Sequence, residues 1–237
     1  MNSITFAFII SFIASISTLI GIIPIYLNIK NTSKLISSSL SFAAGIMLSV
    51  SIFSLLKESY MMLENIYLLV LFISIGMLIS KFINTLLSKI DDKLYKLGII
   101  NTIALMLHNI PEGILTFSTT TINIKLGLSL ALAIVFHNIP EGISISIPVY
   151  YSTKSKVKAW SYTLISGFSE LLGSVACYLF LYKFLNNNLI GIILSLTSGI
   201  MMYISLFELL PNSLKYNNKN LTYIFFIIGF IFMIFFK

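Results

Sequence analysis

Residues 107–143 read LHNIPEGILTFSTTTINIKLGLSLALAIVFHNIPEGI, and one heptapeptide occurs in them twice. His108 to Ile114 and His137 to Ile143 both spell HNIPEGI, at an offset of 29 residues. Each copy lies in the middle of an apolar run, and the runs are parted only by Asn123-Ile124-Lys125. About 20 consecutive apolar residues is the length that crosses a bilayer as a helix. Two such runs joined by a short polar break predict two antiparallel membrane helices with the motif at matching depth. The strands of a membrane barrel would alternate apolar with polar residues, and these runs do not.

The same pattern continues outward to both ends of the chain. Spans are expected at 4–29, 37–56, 66–87, 98–121, 126–150, 159–184, 189–211 and 221–236, with breaks at Lys, Asn and Ser clusters. The expected fold class is therefore an all-α membrane protein of eight transmembrane helices, forming a single polytopic domain over 1–237. Composition agrees: 57% of residues are hydrophobic and 10% charged, with a mean hydropathy of +0.98. Soluble domains carry about 25% charged residues. The N-terminus lacks the positive segment of a secretory signal, so the first run is expected to remain as a span. The single Cys177 reads as a small buried hydrophobe.

The formal net charge of +7 comes from lysine, because the chain has no arginine. Lysines fall between apolar runs without interleaved aromatics, which makes nucleic-acid binding a poor explanation of the basicity and control of topology a better one. Lys30, Lys34, Lys81, Lys89, Lys93, Lys96, Lys154, Lys156, Lys158, Lys215 and Lys219 belong to one side; Lys57, Lys125, Lys183 and Lys237 belong to the other. The positive-inside rule then predicts both termini outside the cell membrane.

A second, weaker repeat has an offset of 154 residues: Gly45-Ile46-Met47 against Gly199-Ile200-Met201, continuing with Ser51/Ser205, Phe53/Phe207, Leu55/Leu209, Leu56/Leu210 and Ser59/Ser213. Spans 2 and 7, like spans 4 and 5, would run in opposite directions. Inverted repeats (spans 1–3 against 6–8, around a central 4/5 pair) are a common plan of secondary transporters, with the substrate site near the midplane.

Of eight acidic residues, Glu58, Glu64, Asp91 and Asp92 are assigned to loops, whereas Glu112, Glu141, Glu170 and Glu208 fall inside spans together with both histidines. A carboxylate at bilayer depth costs several kcal/mol unless it faces a cavity or a cation. With no arginine, and no lysine near midspan, protons or metal ions are expected to neutralise these groups. In each motif His and Glu stand at i and i+4, on one helical face. Asn109 and Asn138 add an amide oxygen or an interhelical hydrogen bond. Pro111 and Pro140 withdraw an N–H each and are expected to kink their helices. Two imidazoles and two carboxylates so arranged fit metal ligation, with a proton relay and structural capping as the other readings. Mixed N and O donors suit Zn²⁺, Fe²⁺, Mn²⁺ or Co²⁺ better than Mg²⁺ or Ca²⁺. Glu170, among small residues, is a further candidate ligand. Glu208 is either a ligand or an interfacial group on an exit path. Met47 and Met201 offer thioethers but also fit ordinary core positions.

Taken together, the two HNIPEG segments, SGFSELLGS at 166–174, AAGIM at 43–47 and SGIMMYISLFELLP at 198–211 resemble the ZIP (Zrt/Irt-like) metal-ion transporters, most closely the bacterial and archaeal zinc-uptake branch. The resemblance covers residues 40–213. It implies a binuclear midplane site: Met47, His108, Glu112 and Glu141 resemble the ligands of one metal, and Asn109, Asn138 and Glu170 those of a second, with Glu112 and Glu141 bridging. His137 also matches the motif and belongs to the expected metal set. The cargo is a divalent ion (zinc first, with iron, manganese, cobalt or cadmium as alternatives) moved toward the cytoplasm, with no prosthetic group. A lipid bilayer and a homodimeric partner are further expectations of the resemblance. The loop at 88–97 has no histidine, unlike that of some members, and Asn138 stands where some relatives carry Asp.

Other functions fit less well. A metal exporter or a proton-coupled carrier of another solute is the transport alternative. An intramembrane metalloprotease needs His-Glu-x-x-His, which the sequence lacks; the chain is expected not to be an enzyme.

Overall fold

A computed structural model describes residues 2–27, 30–181, 186–216 and 219–234. The described residues are helical throughout, without strands: α1 (Ser3–Ile20), α2 (Thr32–Val50), α3 (Leu56–Leu63), α4 (Ile66–Leu86), α5 (Lys93–Ile122), α6 (Ile124–Thr153), α7 (Lys156–Ala176), α8 (Asn187–Tyr203), α9 (Leu210–Leu214) and α10 (Lys219–Ile234). Among them six helical stretches are long and apolar enough to cross a membrane: Ser3–Tyr26, Thr32–Leu63, Ile66–Lys89, Ile124–Thr153, Lys156–Phe180 and Asn187–Leu214. α5 has the length at 30 residues, but Asn101, His108, Asn109 and Glu112 lower its hydropathy. α10 is apolar and 16 residues long.

Asparagine, frequent in this chain, explains how the connections stay short. Asn2, Asn31, Asn65, Asn123 and Asn186 each cap a helix by accepting from backbone N–H groups of its first turn, and Asp92 and Ser155 do the same. Such caps satisfy donors that a helix start would otherwise leave orphaned. Asn123 alone separates α5 from α6, which makes them a tight antiparallel hairpin. Glu64 and Lys154 close α3 and α6 in the left-handed region, with φ of 49° and 54°.

Several expectations need correction. The second span does not stop near 56; it runs on to Leu63 through a π-helical turn at Ser51–Leu55. Glu58 therefore lies on a helix rather than in a loop. Within the first span the α-helix stops at Ile20 and gives way to a 3₁₀ turn at Ile23–Tyr26 that has Pro24 in its first turn. The kinks expected at Pro111 and Pro140 lie within continuous helices, α5 and α6, which also run through Pro148. Neighbouring helices hold them in register there, as they do for prolines in other membrane helices. The expected span ends at 28–29, 182–184 and 235–236, with Lys183 and Lys237, lie outside the described residues.

α1, α5, α6 and α7 pack on one another, while α2, α3, α4, α8, α9 and α10 form a second bundle; α2 against α6 and α8 against α5 join the two. Glycines set the closest approaches. A Cβ at Gly45 would fall on the carbonyl oxygen of Phe226, and one at Gly229 on that of Phe42. Likewise Gly199 abuts the carbonyl of Ile73, and Gly76 that of Leu196. α2–α10 and α8–α4 are thus built alike: Gly45 and Gly199, and Phe42 and Leu196, stand 154 residues apart, and Gly76 and Gly229 stand 153 apart. The π-helical turns Ser51–Leu55 and Ile204–Leu209 correspond at nearly the same offset. Cys177 is fully buried beside Phe117, Ile114 and Ala7. Large side chains such as Ile13, Leu78, Leu132 and Leu172 point outward and are more than half exposed. A membrane helix bundle presents such groups to lipid.

Candidate metal centre

The α5–α6 hairpin places the two motif copies side by side in the middle of the first bundle. His108, Glu112 and His137 are buried, and each offers a donor atom within 4.8 Å of the others. His137 Nε2 lies 2.6 Å from Glu112 Oε1, while His108 Nε2 lies 3.5 Å from that oxygen and 3.2 Å from Glu141 Oε1. The i, i+4 spacing brings His108 and Glu112 onto one face, and the hairpin supplies His137 and Glu141 from the facing helix.

Both asparagines are fixed through their amide nitrogens. Asn109 Nδ2 donates to the carbonyl of Ser166 on α7 at 3.0 Å, and Asn138 Nδ2 to that of Ala14 on α1 at 3.0 Å. Asn138 Nδ2 also donates to Glu170 Oε2 at 2.8 Å, which ties Glu170 to the motif helix. With the nitrogens so occupied, the amide oxygens are left as the free ends. Asn109 Oδ1, Asn138 Oδ1, Glu112 Oε2, Glu170 Oε1, both Glu141 oxygens and His108 Nδ1 are buried without a hydrogen-bond partner among the described residues. Buried polar atoms are almost always paired. Seven such atoms in one region, four of them carboxylate oxygens of which only Glu141 Oε1 lies near an imidazole, form an environment that calls for cations.

Close helix contact supports the arrangement. A Cβ at Gly113 would fall on the carbonyl oxygen of Glu170, and one at Gly142 on that of Thr18. Gly173 abuts the carbonyl of Ile110, and Gly21 the backbone of Ile143, Gly142 and Ile139. α7 thus sits against the first motif helix as α1 sits against the second.

A cavity of about 310 Å³ reaches Glu112 and His137 and is also lined by Ser54, Glu58, Ser129 and Ile134. Ser129, Leu130 and Ala133 of its lining come from the part of α6 that follows the Asn123 turn. Glu58, assigned to a loop from sequence, contributes to its wall. A second cavity, of about 290 Å³, lies near the start of α5, at the other end; Lys93, Lys96, Lys215, Asn84 and Glu208 line it. Glu208 accepts a hydrogen bond from Asn84 Nδ2 at 2.5 Å there. The expectation that it lacks a protein counter-charge is corrected by these lysines, which come from helix ends distant in sequence. Met47 is fully buried in the principal apolar core, with Leu40, Ala43 and Leu105 among its members. Met201 belongs to the same core.

Thr18 and the anchoring carbonyls of Ala14 and Ser166 were not legible as site elements. One signal was available: Ser17-Thr18-Leu19-Ile20-Gly21 and Ser169-Glu170-Leu171-Leu172-Gly173 share Ser, Leu and Gly at the same positions.

The family model described as ZIP Zinc transporter matches residues 91–237. The zinc transporter ZupT of Oceanobacillus iheyensis is 35% identical to this chain over 249 residues, covering 94% of the chain and 93% of that protein. ZupT of Clostridium perfringens is 33% identical, with 94% and 91% covered, and ZupT of Chlorobium luteolum is 36% identical, with 94% and 93% covered. The chain belongs to the ZIP family and is an integral membrane protein.

Proposed function

We propose that this ZIP-family chain carries divalent transition-metal ions, zinc first, across the cell membrane into the cytoplasm. The observation that carries the reading is the buried His108–Glu112–His137 group, with donor atoms within 4.8 Å of one another and with Glu112 and His137 lining a cavity. Relatives named as zinc transporters, similar over nearly the whole chain, support zinc as cargo. The work is transport rather than catalysis, and the metal is cargo rather than a resident cofactor.

In this reading the whole chain is one domain that crosses the bilayer eight times, with α5 and α10 added to the six strongly apolar stretches. Lysine placement puts both termini outside, which makes the Glu112–His137 cavity the outer one and the lysine-lined cavity the inner one. The matched glycine seams and π-helical turns support an inverted repeat. Cargo entering the outer cavity meets Glu112 and His137, sheds water, and is held with His108 and Glu141. Asn109, Asn138 and Glu170 take a second ion, with Glu112 and Glu141 between the two. Met47, buried in the adjoining apolar core, completes the first set. Movement of the α1/α5/α6/α7 bundle against the other then opens the centre inward. Iron, manganese, cobalt and cadmium as further cargo, and a homodimer in lipid, belong to the same proposal.

The test is ⁶⁵Zn uptake into proteoliposomes, wild type beside Glu112→Ala/Glu141→Ala. Saturable uptake by the wild type, abolished in the double variant, is expected. Folded wild-type protein that moves no Zn²⁺, Fe²⁺ or Mn²⁺ would sink the reading.

A further inference from the structure

Thr18 lies on α1, where the sequence carries little functional pattern. Its side chain is fully buried, and its hydroxyl has no hydrogen-bond partner among the described residues. A helical threonine ordinarily donates to the carbonyl four residues back. For Thr18 that acceptor is Ala14 O, which already receives Asn138 Nδ2 at 3.0 Å and Ser17 Oγ at 2.6 Å. The hydroxyl is thus left without its local acceptor in a place where an unpartnered polar group is costly.

The surroundings of Thr18 are those of the metal centre. Its carbonyl abuts Gly142, the residue after Glu141. Its Cβ and Oγ1 each lie 3.1 Å from where a Cβ at Gly167 would stand, on the α7 turn that leads to Glu170. Ser166, next to Gly167, supplies the carbonyl that fixes Asn109. The hydroxyl therefore sits in the α1–α7 seam between the anchor points of the two asparagines, whose Oδ1 atoms are also buried and unpartnered.

A consistent correspondence links the two halves. Asn109 on Ser166 and Gly113 on Glu170 match Asn138 on Ala14 and Gly142 on Thr18. Ala14 and Ser166 are 152 residues apart, and so are Thr18 and Glu170. Thr18 occupies the position that Glu170 fills in the other half.

We propose that Thr18 is a cargo-facing oxygen, a neutral counterpart of Glu170 whose Oγ1 hydrogen-bonds to water carried by the divalent cation. An alcohol oxygen is a weak ligand for zinc but a good partner for the polarised water on a metal ion. A carboxylate at this position would add a fourth buried acid beside Glu112, Glu141 and Glu170, whereas threonine adds an oxygen without charge. The proposal rests on the metal-centre reading above and refines it.

Zn²⁺ titration calorimetry and metal-free thermal unfolding of the full chain in detergent test it, on wild type, Thr18→Val and Thr18→Ser. Thr18→Val is expected to weaken Zn²⁺ binding about 10-fold, in the range of outer-shell changes. Its metal-free melting temperature should equal or exceed that of wild type, because a methyl replaces an unpartnered hydroxyl. Thr18→Ser should bind within about twofold of wild type. Unchanged Zn²⁺ affinity in Thr18→Val overturns the proposal, as does a lowered melting temperature, which would make the hydroxyl a structural group. Wild type that binds no divalent metal removes the parent reading and this one with it; with Glu112→Ala/Glu141→Ala titrated alongside, binding lost there but unchanged in Thr18→Val upholds the parent reading and refutes Thr18 alone.

Discussion

The two HNIPEGI segments are identical in sequence and different in what they face. His108 is fully buried, with its Nε2 between Glu141 and Glu112, while His137 touches Glu112 at 2.6 Å and lines the cavity. Asn109 is anchored on α7 alone, whereas Asn138 is anchored on α1 and also holds Glu170. The heptapeptide fixes a local constellation; the helix packed against it decides which copy is enclosed and which reaches the cavity. Near-symmetric backbones thus differ in a few neighbours, above all Glu170 beside Gly113 and Thr18 beside Gly142.

The sharpest way to break this contrast is to remove the imidazoles one at a time. His108→Ala is expected to weaken Zn²⁺ binding by about 100-fold or more, beyond the 10–100-fold typical of outer-shell losses. His137→Ala should cost about 10-fold in affinity and slow entry measured as initial uptake. Equal losses in binding isotherms would mean that the copies are interchangeable.

Glycine substitutions probe the neighbours. Gly113→Ala and Gly142→Ala each drive a methyl into a backbone carbonyl, of Glu170 and of Thr18 respectively. Overpacking of this kind costs about 1–3 kcal/mol, so both variants should melt lower in detergent by similar amounts. Zn²⁺ affinity should fall more in Gly113→Ala, because that seam carries the carboxylate. A larger loss in Gly142→Ala would reverse the assignment of the two sides.

The smallest effect lies at the helix starts. α5 is capped by Asp92 and α6 by the neutral Asn123. The hydroxyl of Ser152 on α6, then the N–H groups of Tyr95 and Leu94, hold the Asp92 carboxyl below its ordinary value of 3.8. Its ionised form thus stabilises the fold above that ordinary value, and the contribution is lost as pH falls through the lowered one. Asp92→Ala should cost about 1 kcal/mol at neutral pH. Asp92→Asn should retain most of the cap and abolish its acid sensitivity in unfolding curves, making α5 start as α6 does.

Much of this was legible in the sequence because apolar runs and the i, i+4 motif are local. Helix positions followed from hydropathy, and the four motif His and Glu residues followed from spacing. What failed was also local in cause. Lys57 and Glu58 looked like a loop because hydropathy senses charge and not helix continuity, so α3 and its cavity-lining carboxylate were missed. Glu208 looked unpaired because Lys96 and Lys215 reach its cavity from remote helix ends. Thr18 could be found only from helix register in three dimensions, where a faint Ser-x-Leu-x-Gly echo becomes a shared seam.

The glycine seams also shape how this chain can vary. Every missense change in a glycine codon adds at least one carbon, and at these seams that carbon meets main chain, which cannot repack as a side chain does. An isoleucine facing lipid can drift to leucine, valine or phenylalanine through single nucleotide steps without leaving the fold. Gly45, Gly76, Gly113, Gly142, Gly199 and Gly229 have no such neutral neighbours. The paths open to this protein in sequence space therefore run along its oily exterior, while its interior seams stay almost motionless.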